Sequence, residues 1–393
     1  MKFNSPVGIV AATRLPIGKI NGVYQEIMPE QLYQNLIIQQ FAAIPQIKQA
    51  EINQVILGNV TNQGGNLARR CALQAGFVST IPAQTIDCQC GSSLAAIITA
   101  ANLIKVKDAS LICTGGVEST STANIVLDAN SKRPIKRFRM TPDGFSDLDM
   151  GIIADLTAKK KKISRLAQNQ YALSSHRKAM QAIISGKLQP EIIPYQSTTK
   201  NICLDQTVRF DTSLEKLAKL KPAFSANGTA TAGNSCPIND GAASVILAQP
   251  TLPLEFQGLY LGQITVALDP EAFLFGPIKA TEKLLKKFSL QVSEITAIEL
   301  NEAFAVQALL FKNHFNLTDA KLNAFGGALA FGHPYGATGE ILIARLLNRL
   351  NLINRPCLGI ATLCVAGGMG ISLLIGNKWW KNAINFISGG IME

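Results

Sequence analysis

The chain has 393 residues, 47% hydrophobic and only 16% charged, which excludes a disordered protein and leaves room for two or three domains or one doubled fold. Its 37 Lys and Arg against 26 Asp and Glu give a net charge of +11, which suits a phosphorylated small molecule; with 6% aromatics and no basic run interleaved with them, a nucleic-acid partner is not expected. Eight cysteines without a regular framework, a start that does not read as a secretory leader and no apolar run of membrane-spanning length predict a cytoplasmic protein with no transmembrane segment.

In chain order, apolar runs alternate with amphipathic stretches: strand 8–12, helix 29–43, strand 54–59, helix 66–75, strand 84–88, helix 94–104, strand 110–114. This alternation is that of an α/β protein. Residues 119–239 break the rhythm with loops rich in Lys, Asp, Pro and Ser around one clear helix at 164–185, and read as an exposed insertion. The rhythm returns with strand 241–248 and repeats: strand 261–267, helix 278–288, strand 297–300, helix 303–313, helix 339–350, strands 357–363 and 370–375. The expected organisation is an N-terminal half at 1–118 joined by 240–258, an inserted domain at 119–239, a similar C-terminal half at 259–376 and a tail at 377–393. The tail is basic and holds both tryptophans, which suits an amphipathic end packed on its own protein, a membrane surface or a partner subunit.

Four segments carry candidate chemistry. Ile86-Asp87-Cys88-Gln89-Cys90-Gly91-Ser92-Ser93 puts Cys90 where a strand gives way to a helix; the free N–H groups and the dipole there favour a thiolate. Cys88 reads as a buried bystander, with a reversible oxidised state as the alternative. Gly326-Gly327-Ala328-Leu329-Ala330-Phe331-Gly332-His333-Pro334-Tyr335-Gly336 surrounds His333 with more glycines than a turn requires, whereas His176 and His314 fall on helices and read as solvated. Thr362-Leu363-Cys364-Val365-Ala366-Gly367-Gly368 sets Cys364 before a Gly-rich turn, either a tight hairpin or a donor of N–H groups to an oxyanion. In Glu299-Leu300-Asn301-Glu302, Asn301 and Glu302 suit helix caps. The basic run 159–162 reads as a solvated helix start, and no Cys or His pair has metal-ligand spacing.

Together with Thr13-Arg14-Leu15-Pro16-Ile17-Gly18, Gly115-Gly116-Val117-Glu118-Ser119, Asn239-Asp240-Gly241-Ala242-Ala243 and Met369-Gly370, these segments resemble the thiolases nearly end to end. The resemblance implies two βαβαβαββ halves in a layered αβαβα arrangement with an inserted loop domain. It implies reversible Claisen condensation and thiolysis of acyl-CoA thioesters, with coenzyme A compounds as substrates, no permanently bound cofactor, and a homodimer or homotetramer. By the same resemblance Cys90 is the acylated nucleophile, His333 activates it, and Cys364 handles the proton on the α-carbon. Asn301 holds a water that forms one oxyanion hole with His333, and the backbone N–H groups of Cys90 and Ala366 form the other. Arg209 matches an arginine against adenine, Phe224, Ala232 and Phe304 match the pantetheine tunnel, and Met150 lies near the acyl pocket.

The chain departs from the family pattern at several points. Ser93 and Ala366 replace glycines, and both keep their N–H if φ stays negative. Cys236 stands where many thiolases carry a serine that bonds the pantetheine arm, with Ser235 as a substitute. The stretch 143–150 is shorter than in short-chain biosynthetic members, with Asp149 for their histidine, and Phe273 and Leu274 stand for their methionine and glycine, so chain length is left open. Two rival functions are a ketoacyl synthase-like condensing enzyme, which Cys364 disfavours, and a thiolase-fold protein that binds acyl-CoA or lipid without turnover.

Overall fold

The structure is a computed structural model that describes residues 5–62, 64–135 and 137–380. Nine strands run side by side in the order Ile295–Leu300, Leu358–Val365, Met369–Asn377, Gly258–Ala267, Val7–Arg14, Asn239–Ala248, Leu111–Glu118, Gln54–Gly58 and Ala83–Ile86. The halves meet where Val7, Gly8 and Ile9 pair antiparallel with Tyr260, Leu259 and Gly258. Outward from this seam each half goes from antiparallel to parallel pairing, the doubling expected from the repeated rhythm.

Three helix layers cover the sheet faces. Leu32, Tyr33 and Leu36 of helix Pro29–Ala42 and Leu67 of helix Leu67–Gln74 seal one outer face. Ile278 and Leu284 of helix Gly276–Lys287 and Ala308 and Phe311 of helix Ala305–His314 seal the other. Between them, Ile97, Ala100 and Ala101 of helix Ser92–Lys105 and Ile343, Leu346 and Leu347 of helix Thr338–Asn351 pack with Val245, Leu247, Leu363 and Leu373 from both halves. This is the αβαβα stack. The two central helices begin just after Cys90 and His333, so burying them side by side brings those two residues together.

The segment after Glu118 holds two long helices where one was expected. Helix Met150–Lys160 buries Gly151, Ile153, Ala154, Asp155, Thr157 and Ala158, and a helix buried on so many sides lacks the polar stripe that periodicity detects. Lys159 and Lys160 form its last turn, where cations suit the helix dipole; the basic run therefore closes a helix rather than opening one. Helix Arg165–Ile184, capped by Ser164, is not an exposed insertion: Tyr171 and Leu173 join the C-terminal core, and Ala179 and Ala182 pack with Phe325 and Phe331.

A buried ionic knot locks these parts. Arg14 bonds Glu191 at 2.9 Å and Asp205 at 2.7 Å, and Arg345 of the central helix reaches Glu191 at 2.7 Å. Such a knot fixes register, and removing one partner strands a buried charge. At the end of the described chain the Trp380 indole N–H donates to Cys357 O at 2.8 Å and the ring packs on the C-terminal core, so the tail begins by packing on its own sheet. The rest of the tail, 381–393, lies outside the described residues.

Candidate active site

Strand Ala83–Ile86 leads to Cys90 through a turn in which Gln89 is left-handed, with φ of 49°. The Gln89 N–H donates to Asp87 Oδ1 at 2.8 Å, and Ser92 Oγ donates to Gln89 O at 2.6 Å while accepting the Cys88 N–H at 2.9 Å. The turn is thus held by its own polar side chains. Helix Ser92–Lys105 then starts with Gly91 as its N-cap.

His333 arrives from the other half. Its backbone N–H donates to Asn239 Oδ1 at 3.0 Å, and its Nδ1 lies 2.6 Å from Thr338 Oγ1. With Nδ1 occupied by Thr338, Nε2 faces Cys90 Sγ at 3.1 Å and Asn301 Nδ2 at 3.4 Å. The ring is 2% exposed, and burial lowers its pKa to about 4, so the imidazole is neutral at physiological pH.

The glycines around His333 answer to geometry. Gly332 has φ of 100° and ψ of 176°, a region open essentially to glycine alone, and an added Cβ would lie 2.0 Å from Asn239 Oδ1. Gly332→Ala is expected to destabilise the fold by about 3 kcal/mol or more, from backbone strain plus overpacking. Denaturant midpoints of the variant and parent measure it; equal midpoints would mean that the loop adopts another path.

Asn301 follows strand Ile295–Leu300, gives its backbone N–H to Thr362 O at 3.0 Å and is fully buried; its Oδ1 has no partner among the described residues. Neither Asn301 nor Glu302 caps the following helix, whose N-cap is Phe304. Glu302 instead accepts bonds from Tyr171 at 3.0 Å, Ser175 at 2.7 Å and Asn323 at 2.8 Å, tying the Arg165–Ile184 helix to the loop that carries His333.

Cys364 sits near the end of strand Leu358–Val365, paired with Gly370 across the hairpin. Burial, and then the Cys236 thiol, push its pKa up to about 12. Cys90 is 8% exposed; burial first and the neighbouring Cys364 second push its thiol well above the usual range. Burial thus opposes the thiolate that the helix start favours, and it likewise disfavours a charged His333, so both shifts run toward a thiol beside an uncharged base. Alkylation of Cys90 by iodoacetamide should therefore climb steadily from pH 7 to pH 10. A rate already flat across that interval would reveal a preformed thiolate–imidazolium pair.

The other expected residues divide into two groups. Met150, Cys236 and Phe304 share an apolar cluster with Cys364, Phe273 and Leu274, and Phe224 meets Phe304 edge-on with ring centroids 5.9 Å apart. Cys236 gives its N–H to Ala303 O at 3.0 Å; burial, then Cys90, raise its thiol. Ser235 Oγ is buried without a partner among the described residues. Ser93 and Ala366 both keep negative φ, whereas Gly367 and Gly368 take the positive φ of the turn. Arg209 and Ala232 are exposed and are not drawn into this group. The Arg209 N–H donates to Nδ1 of His176 at 3.2 Å, and His176 is 5% exposed, not solvated; burial and then the Arg209 charge lower its pKa to about 4. His314 remains half-exposed beside Glu282.

Sequence reasoning gave no role to Thr338, Asn239 or Glu118. Glu118 is fully buried and accepts the backbone N–H groups of Val60, Thr61 and Gly336, joining the loop after strand Gln54–Gly58 to the His333 loop. A buried carboxylate at the end of an apolar strand was the available signal. A cavity of about 580 Å³ opens on Cys90, with Met150, Tyr335 and Ile238 in its wall.

The family model described as "Thiolase, N-terminal domain" matches residues 7–251, and that described as "Thiolase, C-terminal domain" matches residues 255–377. The chain belongs to the thiolase family. This thiolase is 35% identical over 382 residues to VraB of Staphylococcus haemolyticus, a candidate acetyl-CoA C-acetyltransferase, across 94% of this chain and 98% of that one. Its fold matches the crystal structure of a Bacillus anthracis acetyl-CoA acetyltransferase with a TM-score of 0.88 at 32% identity, covering 95% and 99% of the two chains. Human mitochondrial 3-ketoacyl-CoA thiolase in complex with CoA gives a TM-score of 0.87 at 30% identity, covering 95% and 98%. No helix among the described residues is long and apolar enough to cross a membrane.

Proposed function

We propose that this thiolase catalyses reversible cleavage of 3-ketoacyl-CoA by coenzyme A through an acyl group carried on Cys90, as an acetyl-CoA C-acyltransferase or C-acetyltransferase. The observation that carries this is the 3.1 Å contact between Cys90 Sγ and His333 Nε2, made between segments 243 residues apart with the Cys364 thiol beside them.

In the cleavage direction the Cys90 S–H proton passes to His333 Nε2 as Sγ bonds the 3-keto carbon. The bond between that carbon and the α-carbon then breaks, and the α-carbon takes the Cys364 proton to leave as acetyl-CoA. Coenzyme A next gives its S–H proton to Cys364 and its sulfur bonds the acyl carbon; the Cys90 sulfur leaves and recovers its proton from His333. The sum is one 3-ketoacyl-CoA and one coenzyme A in, one acyl-CoA and one acetyl-CoA out. Oxyanion charge at the first carbonyl falls to the backbone N–H groups of Cys90 and Ala366, and at the thioester oxygen to His333 and a water on Asn301. The unpartnered Asn301 Oδ1 and its amide beside His333 support that assignment. The neutral imidazole supports a base that accepts the proton during attack.

The Cys364 thiol beside Cys90 favours this chemistry over decarboxylating condensation, and the bonded Cys90–His333 pair favours turnover over passive binding. The test is acetoacetyl-CoA with coenzyme A, followed by loss of the 3-ketoacyl thioester and appearance of acetyl-CoA, with Cys90→Ala as control. Cleavage by the parent alone supports the proposal; no cleavage by either, or equal cleavage by both, overturns it.

A further inference from the structure

We propose that Arg345 is a positioning residue for this reaction, acting through one buried water that it holds against Asn301 Oδ1. The inference rests on the oxyanion role proposed for Asn301 and adds what fixes the orientation of that amide.

A small cavity lies beside Asn301, apart from Cys90 and His333. Its volume is about 30 Å³, and the buried residues Glu299, Asn301, Phe331, Thr338, Ile341 and Arg345 border it. A cavity of this size admits a water, provided that about two to four polar groups are there to bond it. Asn301 Oδ1 and Arg345 Nη2 are such groups: both are buried without a partner among the described residues.

The guanidinium is pinned on its other sides. Arg345 Nε donates to Glu191 Oε1 at 2.7 Å, Nη1 donates to Gly326 O at 3.3 Å, and Cζ lies 4.3 Å from the centroid of the Phe331 ring. Nη2 is left over. Burying a donor and an acceptor unbonded is costly, and one water between them satisfies both. Arg345 belongs to helix Thr338–Asn351, which begins just after His333, so a single helix supports both sides of the proposed oxyanion hole.

The number of donors sets the orientation. A guanidinium only donates, so the water accepts from Nη2 and turns its own hydrogens to the acceptors on the wall, Asn301 Oδ1 and the Glu299 carboxyl. The two ends of an amide have nearly the same shape, and packing alone does not choose between them. With Oδ1 held by this water, Nδ2 faces His333 Nε2 at 3.4 Å. A turned amide would set Oδ1 against the Nε2 lone pair that takes the Cys90 proton. It would also draw a hydrogen from the second water, the one on the His333 side, whereas Nδ2 gives that water a hydrogen and leaves both of its own for the oxyanion.

Two variants test this. Arg345→Lys keeps a cation beside Glu191 but loses Nη2, and Ile341→Phe fills the cavity while Arg345 stays in place. Each is made in the parent and in Asn301→Ala, with melting curves compared. In the parent, each should lower kcat for thiolysis of acetoacetyl-CoA at least about tenfold with little change in KM, a loss bounded by the roughly 10²–10³ of the Asn301 contact itself. In Asn301→Ala neither should cost more than about twofold, because the group being positioned is gone. Equal losses in both backgrounds would make Arg345 merely structural and overturn the proposal, as would a kcat within about twofold of the parent for both variants. A crystal structure of the parent should show one water within about 3 Å of both Arg345 Nη2 and Asn301 Oδ1; a dry cavity overturns the proposal whatever the variants do. Full activity of Asn301→Ala alone, or no Cys90-dependent thiolysis by the parent, would instead overturn the assignments on which the inference rests.

Discussion

Cys90→Ala is expected to reduce thiolysis to background, a loss on the order of 10⁶-fold in kcat, the scale seen when a covalent nucleophile is removed. The reason lies in the acyl link itself. A thioester to Cys90 keeps the acyl group as activated as it was on coenzyme A, so both half-reactions run close to balance; without the sulfur no intermediate connects them. Cys90→Ser should fall nearly as far, because an oxygen ester is less activated and a neutral His333 is a weak base toward a hydroxyl. The fold should survive either change, since the turn that carries Cys90 is held by the Asp87 and Ser92 side chains. Steady-state assays with parental melting curves check both points, and substantial thiolysis by Cys90→Ala would remove the proposed nucleophile.

His333→Ala is expected to lower kcat by about 10⁴-fold. The imidazole is asked to take the Cys90 proton, worth ~10²–10⁴, and to donate to an oxyanion, worth ~10²–10³; groups acting on one transition state are not independent, so the product of the two overstates the loss. Asn301→Ala removes only the second contribution and should cost about 10²–10³-fold. The ranking is the diagnostic result. Rapid-quench measurement of acyl transfer to Cys90 should show the His333 variant slower than the Asn301 variant; the reverse order would mean that His333 serves mainly as an oxyanion donor.

The layered α/β fold was legible because its outer elements show one face to water. Helix Gly276–Lys287 has such a face, and its expected and observed bounds differ by two residues or fewer at each end. Strands buried on both faces, such as Asn239–Ala248, were visible as continuous apolar runs bounded by polar residues. Helix Met150–Lys160 was missed for the opposite reason: with its sides covered it has small and apolar residues nearly all round. His176 was misplaced because a helical pattern does not tell which polar residue a neighbouring loop will cover; here it is the segment that carries Arg209.

At the site, Cys90, His333, Cys364 and Asn301 were identified as candidates because each falls at the end of an apolar element beside glycines or polar residues. Their convergence was implied by resemblance, while the distances come from burying two central helices together. The ionisation of Cys90 was not legible. A helix start argues locally for a thiolate, but burial first and the charge of Cys364, far away in sequence, second push the other way. Thr338 acts through His333, so no local motif marks it, and Glu118, though it ends an apolar strand, gains its role only from the Gly336 N–H of the distant His333 loop.

The most direct measurement is intact-protein mass spectrometry after acid quenching of the chain with acetyl-CoA, followed by peptide mapping. The proposed chemistry predicts one added acetyl group, located on Cys90, absent from Cys90→Ala and released by added coenzyme A. Acetyl on Cys364 or Cys236 instead, or no stable acetyl group under conditions that support thiolysis, would contradict it.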